Sequence, residues 1–492
     1  MLHDVDRLGP ELILMVAAGC ILLTDLVLRE RDKRWLAYGG LAGIGAAALW
    51  AVVLILRGRE AAAFDNSFVL DNFSIFFKFL FLGVAGLVII ASMDYMERMG
   101  RYRGEFWGLL LLATAGMMLL AASRDLIAIF IALELTSISQ YVLAGFLKDD
   151  RSSEAGLKYL LLGAVASAVI LYGMAFLFGL SGTTKLWAPE GEPSIAATVA
   201  QGETEMRVAL IVAMVFLTAG FGFKMAVVPF QMWVPDVYEG SPTPVAAFLS
   251  VGSKAAGFAV VLRIFHEGFG ADSFIGSDWS NLFAVIAAVS MSVGNVMALL
   301  QSNIKRLLGY SSIAQAGYLM VGLAAISAVG DSTLGASGVV FFLATYAFTN
   351  LGAFLTVLAI SERLGTAEIA GYAGMGRRAP LLAAALAFCF ISLIGLPPTA
   401  GFVAKVYIFN TAVQSDLVWL VIVAVLNTGI SAFYYLRVIR EMYLAPAPSE
   451  EGVPAAVSLR LAVGVSALGV LVLGLVPTPL ITAAERAVSV FA

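Results

Sequence analysis

Lys224, Lys254 and Lys405 sit inside apolar stretches long enough to cross a membrane, and Glu134 lies in a fourth with no other charge between Asp125 and Lys148. A charge in hydrocarbon is costly unless it has a partner or water, so ionisable groups there mark ion paths. The chemistry open to them is uptake and release of protons. At about 1.5 Å per residue, Glu134 is roughly 15 Å from Arg124 and Lys254 roughly 16 Å from Thr243, near mid-bilayer and out of easy reach of either interface. Ser250 and Ser253 stand beside Lys254 to supply hydroxyls, as Thr136 and Ser137 stand beside Glu134. Lys78 has no polar cluster around it in sequence, so snorkelling to the interface is as good a reading as function.

Prolines interrupt the two stretches that hold Lys224 and Lys405. Pro229 and Pro235 follow Lys224, and Pro397 and Pro398 precede Lys405. Proline lacks an N–H and frees the carbonyl four residues earlier, which exposes Met225 and Leu393. A loose carbonyl at membrane depth needs water or a cation, so a lysine beside it can be hydrated and exchange a proton. A single such proline reads as a tolerated kink; a matched pair with matched lysines points to the paired broken helices of ion transporters.

These residues need a membrane scaffold to position them, and the composition supplies one. Of 492 residues, 60% are hydrophobic and 13% charged, which excludes an ordinary soluble globule. The net charge of -4 carries no basic tail for nucleic acid. The first apolar run lacks a basic leader and a small-residue cleavage site, so it reads as a retained helix. Runs of about 20 apolar residues predict an all-α integral membrane protein with 14 transmembrane helices. Alternate loops hold basic clusters, such as Arg29, Arg31, Lys33 and Arg34, or Arg98, Arg101 and Arg103, whereas the other set holds scattered residues such as Arg57, Arg59, Arg124 and Lys185. Both termini are therefore expected on the outer side. The longest polar interruption, 181–206, is expected to be an external loop.

The breaks also suggest two inverted five-helix repeats with discontinuous helices 7 and 12. The expected divisions are an N-terminal three-helix segment at 1–104, a first repeat at 105–265 (helices 4–8), a second at 281–440 (helices 9–13), and helix 14 at 458–492. Glu154 and Lys158 form an i, i+4 pair at a helix mouth; it reads equally as a helix-end charge pair or a proton entry. Asp236, Tyr238 and Glu239 are expected to line the same mouth or cap the next helix. Cys20 and Cys389 in apolar helices, with only His3 and His266, cannot supply the ligand set of a haem or iron–sulfur cluster. No phosphate-binding GxxxxGK[ST] loop occurs.

FGFKMAVVPFQMWVPDVYEGSPTPVAAFLSVGSKAAGF (221–258), LPPTAGFVAKVYIF (396–409) and ALELTSISQYVLAGF (132–146) resemble the antiporter-like membrane subunits of respiratory complex I, the proton-pumping NADH:quinone oxidoreductase. Lysine at 405, where one related branch usually has glutamate, and the lack of a long segment after the last apolar run narrow the resemblance to a single branch. The resemblance implies that Glu134 and Lys224 act as a coupled ion pair, Lys254 as the central proton carrier and Lys405 as the terminal relay outward. It implies a bacterial inner-membrane complex whose NADH, FMN, iron–sulfur clusters and quinone belong to partner subunits, membrane and peripheral. The partners of this chain itself are then those subunits, lipid, protons and internal water. Gln231 and Gln315 stand where relatives often have histidine; glutamine orients water but does not take up a proton near neutral pH. A cation/proton antiporter subunit, a membrane-bound hydrogenase subunit and a purely structural spacer are the other readings of such a chain.

Overall fold

The computed structural model describes residues 2–28, 33–58, 61–99, 102–189, 191–202, 206–270, 273, 275–326, 332–449 and 451–491. Arg29, Arg31, Arg59 and Arg101 of the loop-charge pattern lie outside them. Short α1 (Leu2–Arg7) leads to α2 (Gly9–Val27), α3 (Trp35–Leu56), an antiparallel hairpin of β1 (Ala61–Ala63) and β2 (Phe68–Leu70), and α4 (Asn72–Met99). Next come α5 (Arg103–Ala122), α6 (Leu126–Ala144), α7 (Asp150–Ser181), α8 (Ile195–Gln201), α9 (Arg207–Met225) and α10 (Trp233–Gly240). The following pass is compound: α11 (Thr243–Phe248), a π-helical segment Leu249–Ser253, α12 (Lys254–Arg263) and a second π-helical segment Ile264–Phe269. The remainder comprises α13 (Gly276–Leu299), α14 (Ile304–Ala324), α15 (Ser332–Leu364), α16 (Met375–Arg378), α17 (Pro380–Ile394), α18 (Ala400–Gln414), α19 (Val418–Leu444), α20 (Val457–Leu475) and α21 (Thr478–Val488). Among the described residues, 13 helices are long and apolar enough to cross a membrane, and α17 and α18 meet end to end through the GLPPT break.

Both termini lie on one face, here called the terminal face. Arg57 after α3 pairs with Asp6 of α1 at 2.5 Å, and Phe491 packs on Phe73 at the start of α4. The opposite face is marked by Arg98 at the end of α4, which pairs with Glu362 at the end of α15.

Capping explains the tight turns. Asp125 accepts from the N–H groups of Ile127 and Ala128 to start α6, and Asn303 does the same for Lys305 and Arg306 to start α14. The two turns sit on opposite faces, and each is bridged to a later strand-like residue, Asp125 to Lys185 and Asn303 to Glu368. In a bilayer the interhelical hydrophobic force is weak, so close backbone approach matters more. A Cβ on Gly294 would come within 2.6 Å of the Ala314 nitrogen, and one on Gly317 within 2.6 Å of the Met291 nitrogen, which is how α13 and α14 come to lie so close.

The compound pass is buried inside the protein throughout 243–265, and α14 nearly so, while α20 is mostly peripheral. The compound pass carries Lys254, while Lys224, Lys405 and Glu134 lie on α9, α18 and α6 around this buried pair. Segment 181–206 is not a detached loop: Leu186, Ile195 and Val199 are buried and fold α8 against the end of the compound pass.

One expectation is overturned. Lys78 does not snorkel; it is buried to 1% exposure and forms an ion pair with Glu11, itself fully buried, at the start of α2. The partner lies 67 residues earlier in the chain, and the helix period around Lys78 carries no trace of it.

Candidate functional site

α9 ends at Met225 because Ala226 adopts a left-handed backbone (φ 62°), and α17 ends at Ile394 because Gly395 does (φ 91°). The prolines then hold the chain out of the helix until Trp233 and Ala400 restart it. Each break therefore sits beside its lysine.

Lys224, buried at the end of α9, donates to Ser137 Oγ at 3.1 Å and Gln140 Oε1 at 2.9 Å, both on α6. Gln140 also accepts from the Tyr159 hydroxyl at 3.2 Å, and Tyr159 stacks on Trp233 across the break at 4.3 Å between ring centroids. Glu134, one turn from Ser137, accepts instead from Ser167 on α7 at 2.5 Å. Among the described residues Glu134 and Lys224 make no ion pair within 4 Å; Ser137 serves Lys224, and Thr136 donates to its own helix at Ala132. Any coupling between the two charges is through space or through water.

Lys254 begins α12 directly after the π-helical turn. Its Nζ donates to the main-chain carbonyl of Ser312 and to Ser312 Oγ (2.7 Å) on α14, and it lies 5.7 Å from the Tyr346 ring centroid. The neighbouring serines are not its partners: Ser250 Oγ donates to Ala247 O and accepts from Asn350. Ser253 Oγ, Tyr238 Oη, Tyr346 Oη and Asn350 Oδ1 are buried polar atoms without a hydrogen-bond partner among the described residues, gathered around this lysine's helix. A Cβ on Gly257, three residues on, would come within 3.3 Å of the Lys224 carbonyl carbon, so α12 packs directly on the first break.

Lys405 on α18 points back into its own break. It donates to Leu393 O at 3.1 Å and Ile394 O at 2.9 Å, with Thr428 Oγ1 at 3.4 Å, and stands over the Tyr318 ring at 4.2 Å. The Leu393 carbonyl, freed by Pro397, also accepts from Gln315 Nε2 at 3.1 Å. The Tyr318 hydroxyl bonds Thr428 Oγ1 at 3.1 Å. Ser311, Ser312, Gln315 and Tyr318 thus line one side of α14, with Ser311 bonded to Tyr435, and join the surroundings of Lys254 to those of Lys405. Sequence reasoning singled out Gln315 alone; the signal for the rest was the i, i+1, i+4, i+7 polar spacing in SSIAQAGY, which is one face of a helix.

At the opposite face Lys158 pairs with Glu154 at 2.8 Å and with Asp236 at 2.7 Å, Arg306 bonds Asp236 at 2.7 Å and Glu239 at 2.9 Å, and Lys305 donates to the carbonyls of Glu239 and Ser241. Burial pushes the Asp236 carboxyl up, but hydrogen bonds from Lys158 and Arg306 outweigh it and hold it below the ordinary carboxylate value. Tyr238 is fully buried and does not line this mouth. Gln231 Oε1 is buried without a partner among the described residues.

Among known proteins, the chain is 44% identical to NADH-quinone oxidoreductase subunit N of Dehalococcoides mccartyi over 98% of this chain and 99% of that protein. It is 44% identical to the protein of the same name from Trichlorobacter lovleyi, over 99% and 97%. Respiratory complex I of Thermus thermophilus contains a chain that superposes with a TM-score of 0.79 at 32% identity, covering 96% of this chain and 98% of that one. The model of the NADH:quinone oxidoreductase/Mrp antiporter transmembrane family matches residues 123–431, from the α5–α6 turn into α19. On a match that spans both breaks together with Glu134, Lys224, Lys254 and Lys405, and on relatives that align end to end, the chain belongs to the NADH:quinone oxidoreductase/Mrp antiporter transmembrane family.

Proposed function

We propose that this chain is the proton-translocating N-type membrane subunit of an NADH:quinone oxidoreductase, acting as part of a translocase with no redox centre of its own. The observation that carries it is the buried line of Lys224, Lys254 and Lys405, each held by neutral oxygens rather than a carboxylate. A lysine held by hydroxyls and carbonyls is not locked in its charged form, as a tight ion pair would lock it, and can give up its proton to water. The unpartnered buried hydroxyls of Ser253, Tyr238 and Tyr346 are the groups to which ordered water would bind, and a hydrogen-bonded file of that kind conducts protons.

Protons enter by the exposed Lys158–Asp236 mouth, pass Glu134 and Lys224, and reach Lys254. They cross along the polar side of α14 to Lys405. Gln231 and Gln315 orient the water file without titrating. Counting α17 and α18 as one crossing gives fourteen passes arranged as two inverted repeats, 105–265 and 281–440, after a three-helix segment at 1–104 and before α20 and α21. Both termini then face the periplasm across a bacterial inner membrane. NADH, FMN, iron–sulfur clusters and quinone are held by partner subunits. Moving one charge against ~180 mV takes about 4 kcal/mol, so the driving event must change one carrier's proton affinity by that much. A displacement of Glu134 relative to Lys224 supplies it through the change in their Coulomb interaction. The full-length relatives favour this reading over a cation/proton antiporter or hydrogenase subunit.

Lys254→Ala is the test. In membrane vesicles the complex assembles and oxidises NADH, while proton uptake per electron falls; unchanged proton output would remove Lys254 from the path. Near-normal pumping after replacing all four charges would leave only a structural spacer.

A further inference from the structure

On the proton-path reading, two directions lead from Lys254 toward the terminal face. One is sideways along α14 to Lys405. The other is straight along its own helix, and about 13.5 Å further on, at about 1.5 Å per residue, that helix presents Arg263.

Arg263 is fully buried and is the centre of a charge-balanced cluster. It donates Nη2 to Asp71 Oδ1 at 2.9 Å, places Nη1 2.8 Å from Asp71 Oδ2 and 2.6 Å from Glu267 Oε1, and gives Nε to the Ala121 carbonyl at 3.1 Å. Glu267 in turn accepts a bidentate pair from Arg124, Nε at 2.8 Å and Nη2 at 2.9 Å. Phe73 lies under the Arg263 guanidinium at 4.8 Å, and Phe491 at the chain's end lies 5.8 Å away, itself stacked on His266. Arg124 is fixed from outside as well: its N–H donates to Ser67 O of the hairpin turn at 2.9 Å, and its carbonyl accepts from Leu186 N at 2.8 Å in segment 181–206. Five chain segments distant in sequence thus converge on one closed knot across the terminal end of the compound pass.

We propose that the Arg263–Asp71–Glu267–Arg124 cluster is the seal that shuts the straight route, so that a proton on Lys254 leaves only sideways. The assignment rests on the proton-path reading above. A guanidinium does not release its proton and cannot relay one, and both carboxylates are paired with arginines, so proton uptake by either would break an ion pair. Hydrophobic residues of similar volume would fill the same space without the desolvation penalty of four charges; interlocked pairs do what they cannot, which is to hold separate chain segments closed across the pass by contacts that are costly to separate. The four are positioning residues: they set where the proton goes and hold none of it.

The test uses the whole complex in sealed vesicles, with Arg263→Gln, the milder Arg124→Gln at the edge of the cluster, the charge-keeping Arg263→Lys, and Arg263→Gln combined with Lys254→Ala. The seal predicts that Arg263→Gln raises passive proton conductance without NADH by about tenfold, the change that follows each 1.36 kcal/mol taken off a barrier, and lowers protons pumped per electron while NADH oxidation persists. Arg124→Gln leaks less, Arg263→Lys restores tightness, and the double variant loses the leak because Lys254 feeds it. A structural tie alone would lower assembly and NADH oxidation together, with no leak that depends on Lys254. Tight, fully coupled vesicles from both glutamine variants, or a leak indifferent to Lys254, overturns the seal. Failure of Lys254→Ala alone to affect pumping overturns the proton path instead.

Discussion

Two clusters of charge lie on opposite faces of the molecule and differ above all in access to water. At the mouth on the opposite face, the side chains of Lys158 and Glu154 are 43% and 65% exposed and those of Asp236, Glu239 and Arg306 about a third. At the terminal face, Arg263, Asp71, Glu267 and Arg124 are 0%, 2%, 6% and 14% exposed. Exposed pairs are screened, cheap to open and add little stability. Buried pairs resist opening because separating them strands a charge in low dielectric. The same chemistry is therefore loose and wet at one end and locked at the other, as the proposed entrance and seal require.

Asp71→Asn is the sharpest way to break this contrast. It strips the main counter-charge from buried Arg263, with an expected loss of about 3–5 kcal/mol, read as a lower melting temperature of the solubilised complex; a loss no larger than that of Lys158→Gln would mean both ends are equally wet. Glu11→Gln, which strands Lys78 in the same manner, is expected to cost about 3–5 kcal/mol as well, whereas Glu11→Leu with Lys78→Met restores most of it; thermal denaturation of the pair of variants distinguishes a stabilising replacement from a required charge. Ser312→Ala removes the hydroxyl that holds Lys254, an expected change of roughly 1–3 kcal/mol in that site, seen as slower pumping at unchanged NADH oxidation. Lys158→Gln should shift stability by less than about 1 kcal/mol but lower the pumping rate and weaken its dependence on ionic strength.

The smallest effect is in pH. Asp236 is held below its ordinary value, so the stability it draws from Lys158 and Arg306 is present above the unfolded carboxylate range near pH 4 and is lost as pH falls through its lower folded value. Being two-thirds buried at most, the pair contributes little. The difference in melting temperature between the native chain and Asp236→Asn should therefore be small at neutral pH and vanish in acid; a difference that grew in acid would reverse the sign.

How the two breaks hold their lysines shows what could be read in advance. Lys405 bonds the Leu393 carbonyl that the proline rule identifies, because that contact is local: a break and a lysine twelve residues apart on either side of one turn. Lys254 does not bond its neighbours Ser250 and Ser253 but Ser312, 58 residues away. Ser250, one turn back, donates instead to Ala247 of its own helix, and Ser253 Oγ has no partner among the described residues. Glu134 turned to Ser167 for the same reason that Lys78 turned to Glu11: another helix, not the residue's own, supplies the partner.

Composition and hydrophobic length alone determined that this chain is a bundle of membrane helices, and proline chemistry determined where two of them break, because both effects act within a few residues. Beyond i, i+4 pairs such as Glu154–Lys158, which groups face each other was decided by tertiary packing. Along a helix a side chain reaches three or four residues, so Ser312 for Lys254, Glu11 for Lys78 and Asp71 for Arg263 became partners only when separate helices were brought side by side in a medium that offers buried charges nothing else.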